Sequence, residues 1–283
     1  MKGIMVTNMK KFASIAMAAL MLTGCLGLFS SCGNKEEGKT SDTVKDIAGA
    51  KEEFIIGITI FEPMNYYDKD GELTGFETEF AKAVCEKVGV EPKFQVIDWK
   101  TKETELNTGN IDCIWNGMTI DDDRKETMCL SDPYMKNMQV LVVKDENVEK
   151  YSDKANLDGI TIVAESESAG ETVATTDEIF ANSKYVAVEA QSNTLLEVKS
   201  GSADGALLDY IAANGMIGED TDYSDLKIVD AYNFSEEEYG IAFRKGDTET
   251  KDKFQKVIDE LMNDGTVDKI AEKYDLDTLL IKK

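Results

Sequence analysis

A chain of 283 residues with 42% hydrophobic content can bury one large core or two smaller ones. A formal charge of −24 repels polyphosphates, which argues against a nucleic-acid partner, and the lack of histidine removes the commonest general base and metal ligand. Carboxylates and thiols remain, but no CxxC or EF-hand spacing is present, so no metal and no cofactor is expected.

The first eleven residues carry Lys2, Lys10 and Lys11 without an acid, and residues 12–22 are apolar and rich in Ala and Met, a secretory signal pattern. The apolar run 12–29 is also about the minimum length of a membrane span, which keeps an uncleaved helical anchor as the alternative. Leu22-Thr23-Gly24-Cys25 resembles the lipobox of bacterial lipoproteins, and Phe29-Ser30-Ser31-Cys32 resembles a weaker one. The motif favours Cys25. The polar GNKEEGKTSD that follows favours Cys32. The resulting reading is a signal peptide over 1–31, lipidation at Cys32 (or Cys25), and a flexible polar tether over 32–52. Cys85, Cys113 and Cys129 give no disulfide framework, and the first two read as small buried hydrophobes.

Residues 54–60 (FIIGITI) form a β-branched run with the character of a buried strand. Asp70-Gly71 closes a hairpin between 65–67 and 73–75. Phe76, Phe80, Ala81, Val84 and Val88 follow helical spacing, with Gly89 as the stop. A strand at 93–97 and a short helix at 101–107 lead to a strand at 111–115, broken by Asn116-Gly117; Asp121, Asp122 and Asp123 then cap and open a short helix. After a strand at 140–143, the charged KDENVEKYSDK reads as the exit into a second domain. The alternation restarts there: strands at 160–164, 185–188, 205–208 and 226–229, helices at 168–175, 192–198 and 209–214. A last strand at 239–243 ends at Arg244, read as a solvated residue. Two helices follow, one with Phe254, Val257, Ile258, Leu261 and Met262 on a single face and Gly265 as terminator, the other carrying Val267, Ile270, Ala271 and Tyr274. This order predicts an α/β fold with a mostly parallel sheet.

The chain has 31 Lys and Arg, of which only Arg124 and Arg244 are arginines. Arg124 stands just inside a helix start after a strand end, where α/β proteins collect anionic groups, and its planar fork grips a carboxylate with two bonds. A surface arginine paired with its Asp neighbours is the plainer alternative. The order strand, N-G-M-T-I, Asp-rich turn, R-K-E, then S-D-P-Y before MQVLVVK resembles the polar amino acid binding proteins of ABC importers, solute-binding protein family 3. The likeness runs from about Glu53 to the C-terminus.

That resemblance implies the type 2 periplasmic-binding-protein fold, two lobes joined by two crossing strands with a cleft between them. Lobe 1 would comprise residues 53–142 plus 236–283, and lobe 2 residues 143–235. It implies that Arg124 grips a ligand α-carboxylate beside Thr119 and Gly117, and that Asp209, in A-L-L-D-Y, binds the α-amine; an ordinary N-cap is the alternative for Asp209. Ser168 and Ala169 resemble a Gly-Ser-Thr-Gly-Glu loop in which Glu167 replaces Gly and Ala169 replaces Thr, and Phe61 and Trp99 would sandwich the ligand side chain. Core packing is the alternative for Trp99. Enclosing a zwitterion strips water from both charges, so each needs a partner.

The expected function is a lipid-anchored extracytoplasmic binding protein, a monomer rather than an enzyme. It would capture a free amino acid, polar or cystine-like, and deliver it to an ABC permease in the membrane. The alternatives are a cyclohexadienyl or arogenate dehydratase-like enzyme and an amino-acid sensor domain on the same fold.

Overall fold

The structure is a computed structural model that describes residues 52–232, 234 and 236–282. The expected signal peptide, Cys25, Cys32 and the tether up to residue 51 lie outside the described residues. The first half runs β1 (Glu53–Ile58), a small hairpin of β2 (Tyr66–Tyr67) and β3 (Leu73–Thr74), α1 (Phe76–Val88), β4 (Glu91–Val96), α2 (Lys102–Thr108), β5 (Cys113–Thr119), α3 (Asp122–Thr127), β6 (Met128–Leu130) and β7 (Met135–Lys144). It is followed by α4 (Val148–Tyr151), β8 (Thr161–Glu165), α5 (Ala169–Thr176), β9 (Lys184–Val188), α6 (Gln191–Ser200), β10 (Gly205–Asp209), α7 (Tyr210–Met216) and β11 (Leu226–Ile228). The chain then enters β12 (Glu236–Arg244), α8 (Thr248–Asn263) and α9 (Thr266–Lys273).

The strands join in the order β4-β1-β5-β12-β7-β10-β8-β9, with β6 on β12 and β11 on β7. The outer groups β4-β1-β5 and β10-β8-β9 are parallel. Every pairing of β7 and β12 is antiparallel, so the sheet is mixed rather than mostly parallel. The physical reason is that β7 and β12 are long strands that serve both halves. Residues 135–138 of β7 pair with β12 and residues 139–142 pair with β10, whereas β12 meets β7 at residues 236–239 and β5 at 239–243. These are the two crossing strands.

Two local expectations are corrected. Asn116-Gly117 does not break the strand: β5 begins at Cys113 and continues through them to Thr119, buried along its whole length. Gly117 takes a φ of 55°, and the register with β12 shifts between Gly240 and Ala242, so the dipeptide marks an irregularity within the ladder. Arg244 is not simply solvated. It is half-buried, donates to the Ile111 carbonyl at 2.7 Å and pairs with Asp112 at 3.2 Å, tying the end of β12 to the start of β5.

Both faces of β5 are covered, which is why it carries no polar alternation. Cys113 and Trp115 share a core with Phe76, Phe80 and Val84 of α1; Ile114 and Met118 pack with Leu106, Met128 and Trp99. Gly89 ends α1 in the left-handed conformation that lacks a Cβ penalty. The C-terminal α8 lies beside α1, and its Phe254 ring stacks on Phe54 at 4.5 Å and meets Phe243 at 5.7 Å. A separate core, including Leu141, Val143, Ile162, Ala164, Leu207 and Phe180, fills the other half.

Phe254 is 2% exposed. Its replacement by Ala is expected to cost about 3 to 5 kcal/mol in denaturant unfolding, because a large ring is removed from a packed junction. A loss below about 1 kcal/mol contradicts this account of how the C-terminal helices are held.

Candidate functional site

Trp99, Gly117, Thr119, Arg124, Ser168, Ala169 and Asp209 line one small cavity together with Asn116, Glu165 and Gln191; its volume is about 10 Å³. Seven of the eight residues designated from sequence are therefore together. Phe61 is set apart in an adjoining cavity of about 460 Å³ that also borders Thr59, Glu62, Tyr66, Glu189 and Ala190. It still touches the site from behind, since a Cβ on Gly117 would come 3.0 Å from Cζ of Phe61 and 3.2 Å from the Tyr239 ring. Gly117 thus lets the Phe61 and Tyr239 rings approach the strand.

Arg124 is positioned by its own neighbourhood. Asp121 caps α3 by accepting the Arg124 backbone N–H at 2.7 Å, and its second oxygen lies 3.3 Å from Nε. Nη1 donates to the Thr119 carbonyl at 2.8 Å. The side chain is nearly buried, unlike the surface arginine of the plainer reading, although the pairing with Asp121 is present. A guanidinium has five N–H donors, so donors remain for a carboxylate, although a cavity of about 10 Å³ has room for about one water and must widen to admit an amino acid.

Asp209 precedes α7, but its carboxylate makes no capping bond to that helix. Oδ1 instead accepts from Asn137 at 2.7 Å and Gln139 at 2.6 Å, both on β7, and Oδ2 accepts from Gln191. The same two β7 amides also donate to Glu237 of β12. Burial, and then the adjacent Asp209 charge, raise the Glu237 carboxyl above its ordinary range. The anion at the end of β10 is thereby held by two amides of β7, which it shares with a carboxyl of β12.

Ser168 is the N-cap of α5, its hydroxyl accepting the Glu171 N–H at 3.1 Å. Gly170 allows that helix to seat closely, for a Cβ there would meet the Leu207 carbonyl at 2.7 Å. Glu167, where the resemblance leads one to expect Gly, has a φ of 62°, a left-handed conformation that glycine adopts freely and glutamate at a cost of roughly 1 to 2 kcal/mol. Its carbonyl accepts from Lys102 of α2 at 3.2 Å, a bond from one half of the molecule to the other. The Lys102 ammonium lies 4.9 Å from the centre of the Trp99 ring. Trp99 serves two purposes, packing in the core beside Leu106 and lining the cavity.

Sequence reasoning missed Asn116, Glu165 and Gln191 in the cavity wall, and Asn137, Gln139 and Glu237 behind Asp209. Glu165 had a readable signal, a carboxylate at the carboxyl end of the apolar run ITIVA. A buried polar knot supports the site from the other side. Glu77 of α1 accepts the Gly117 N–H at 2.8 Å, Asn65 at 2.8 Å and the Tyr134 hydroxyl, while Asn116 donates to the Thr59 hydroxyl at 2.6 Å. Burial pushes Glu77 up to about 7, partly opposed by these bonds, and pushes Glu165 up to about 8. Among the described residues no group of three or more Cys, Asp or Glu side chains is arranged to hold a metal ion.

A two-lobed α/β protein with an arginine and an aspartate facing one interlobe cavity is the architecture of a solute-binding protein, and the chain belongs to the bacterial extracellular solute-binding proteins, family 3, whose model matches residues 54–277. It is 28% identical over 272 residues to the arginine-binding extracellular protein ArtP of Bacillus subtilis (strain 168), covering 94% of this chain and 98% of that one. It is 27% identical over 274 residues to the L-cystine-binding protein TcyA of the same organism, covering 92% and 96%. Among solved structures, the ancestral amino acid-binding protein AncCDT-1, described as a precursor of cyclohexadienyl dehydratase, superposes with a TM-score of 0.70 at 30% identity over 78% of this chain and 95% of that one.

The raised carboxyls set a pH dependence. Glu77 and Glu165 keep protons in the folded protein at pH values where the unfolded chain has lost them. Their stabilising contribution is complete below about pH 4.5 and is lost as pH rises through about 7 and 8. Thermal unfolding is therefore expected to give a higher Tm at pH 5 than at pH 8. A Tm that is flat or rises across that window contradicts the assignment.

Proposed function

We propose that the chain is the extracytoplasmic binding component of an ABC importer that captures a free amino acid and hands it to a membrane permease. The observation that carries this reading is the convergence of Arg124 from one half and Asp209 from the other on one buried cavity, opposite charges suited to the two ends of a zwitterion. Arg124 holds the α-carboxylate, with Thr119 and the N-terminus of α5 at Ser168 and Ala169 as further polar neighbours. Asp209 holds the α-ammonium. The side chain lies against Trp99, and the cavity behind Phe61 gives room for variation. Aromatic walls supply apolar area with little loss of rotamer freedom.

The lobes comprise residues 53–142 plus 236–283 and residues 143–235, and close about β7 and β12. Signal-peptide cleavage and lipidation at Cys32 (or Cys25) anchor the monomer to the outer face of the membrane. No helix among the described residues is long and apolar enough to cross one.

A thermal-shift screen of the twenty amino acids plus cystine tests the reading. A ligand at a thousand times its Kd stabilises the folded state by about 4 kcal/mol and gives a clear rise in Tm. Arg124→Ala and Asp209→Asn should each weaken the responding ligand by roughly two to nearly four decades, the cost of burying an unpaired charge of about 3 to 5 kcal/mol. Unchanged binding in calorimetry removes the substituted residue from the site.

A second reading, a cyclohexadienyl or arogenate dehydratase, is favoured by Glu165, a buried carboxyl held protonated near neutral pH and therefore a candidate general acid. Incubation of the full chain with prephenate or arogenate decides it. No aromatic product is expected, and its appearance would overturn the binding-only account.

A further inference from the structure

Glu165 closes β8 inside the cavity and is 3% exposed, yet its Oε1 has no hydrogen-bond partner in the structure. The charged groups around it come from three other segments: Asp209 on β10, Lys102 on α2 and Asp98 just before Trp99. Lys102 does not neutralise it through a close contact, since that ammonium is directed to the Glu167 carbonyl and the Trp99 ring. A zwitterion held between Arg124 and Asp209 uses the cation and one carboxylate of the wall, and leaves a second carboxylate buried beside Trp99.

We propose that Glu165 is a specificity-determining residue that selects amino acids carrying a second positive charge, a guanidinium or ammonium side chain, by pairing with that group at the face of Trp99. This rests on the amino-acid reading above and narrows it to a ligand class. The carboxylate then completes the charge balance of the closed site, and the indole face adds a cation–π contribution.

The pairing has a proton signature. Burial and the Asp209 charge hold Glu165 up to about 8, with Lys102 acting in the opposite direction and Asp98 in the same one. A neutral amino acid leaves the enclosed carboxyl protonated at pH 7, whereas a cationic side chain, itself keeping its proton, forces Glu165 to ionise and release one to the buffer. At pH 7 the cationic ligand should therefore release more protons than the neutral ligand, and loss of that difference in Glu165→Gln separates the Glu165 proton from one on Lys102, whose ammonium burial and the Arg124 charge bring down to about 8.

The test is isothermal titration calorimetry of the full chain and Glu165→Gln with L-arginine, L-lysine and L-glutamine, at pH 7 in buffers of different ionisation enthalpy. Glu165→Gln is expected to lose on the order of 100-fold or more in affinity for arginine and lysine while keeping glutamine within a few-fold, and to abolish the difference in proton release. Equal weakening of all three ligands would place the carboxylate on the α-ammonium instead and overturn the proposal, as would no change. A wild-type chain that binds glutamine but neither cation overturns the proposal and leaves the amino-acid reading standing; one that shows no response to any amino acid removes both. The proton count on the wild-type chain is independent of how the variant folds, and equal proton release for cationic and neutral ligands also contradicts the proposal.

Discussion

A charge withdrawn from water must be neutralised where it lies, and the central region of this molecule is arranged around that constraint. Arg124 is fixed by the Thr119 carbonyl and Asp121, and Asp209 by the amides of Asn137, Gln139 and Gln191. Each is held in place by groups that leave donor or acceptor capacity directed at the cavity. Such prior positioning reduces the rotamer entropy that a ligand would otherwise remove on binding.

The crossing strands connect this electrostatic arrangement to the fold. Asn137 and Gln139 project from the stretch of β7 where its partner changes from β12 to β10, and Glu237 faces them from β12. The anion site is therefore built beside the two strands that cross between the halves. On the opposite side, the Glu77 knot fixes the backbone of Gly117, so the end of β5 is also constrained at Thr119, whose carbonyl holds the Arg124 side chain of α3.

Local signals were legible and long-range ones were not. The Asp121 cap, the Gly89 and Gly265 stops and the Asp70-Gly71 hairpin each depend on a few consecutive residues, and all were readable from sequence. The cleft residues Arg124 and Asp209 were legible because each sits where an apolar strand gives way to a helix. Their designation drew on the family resemblance as well as on that spacing. The amide partners of Asp209 were not legible: Asn137 is 72 positions away, and an amide inside an apolar strand run has no periodic signature. Arg244 was misread for the same reason, its partner Asp112 lying 132 positions earlier. Asn116-Gly117 misled because a dipeptide that usually ends a strand here produces an irregularity within one, a distinction set by the neighbouring β12.

The most direct test of the central claim is a crystal structure of the chain with the amino acid that gives the largest thermal shift. The account predicts a ligand α-carboxylate within hydrogen-bond distance of the Arg124 guanidinium and its α-ammonium on the Asp209 carboxylate, with the lobes closed about β7 and β12. A ligand bound outside this cavity, or one whose charged ends meet neither side chain, would contradict it.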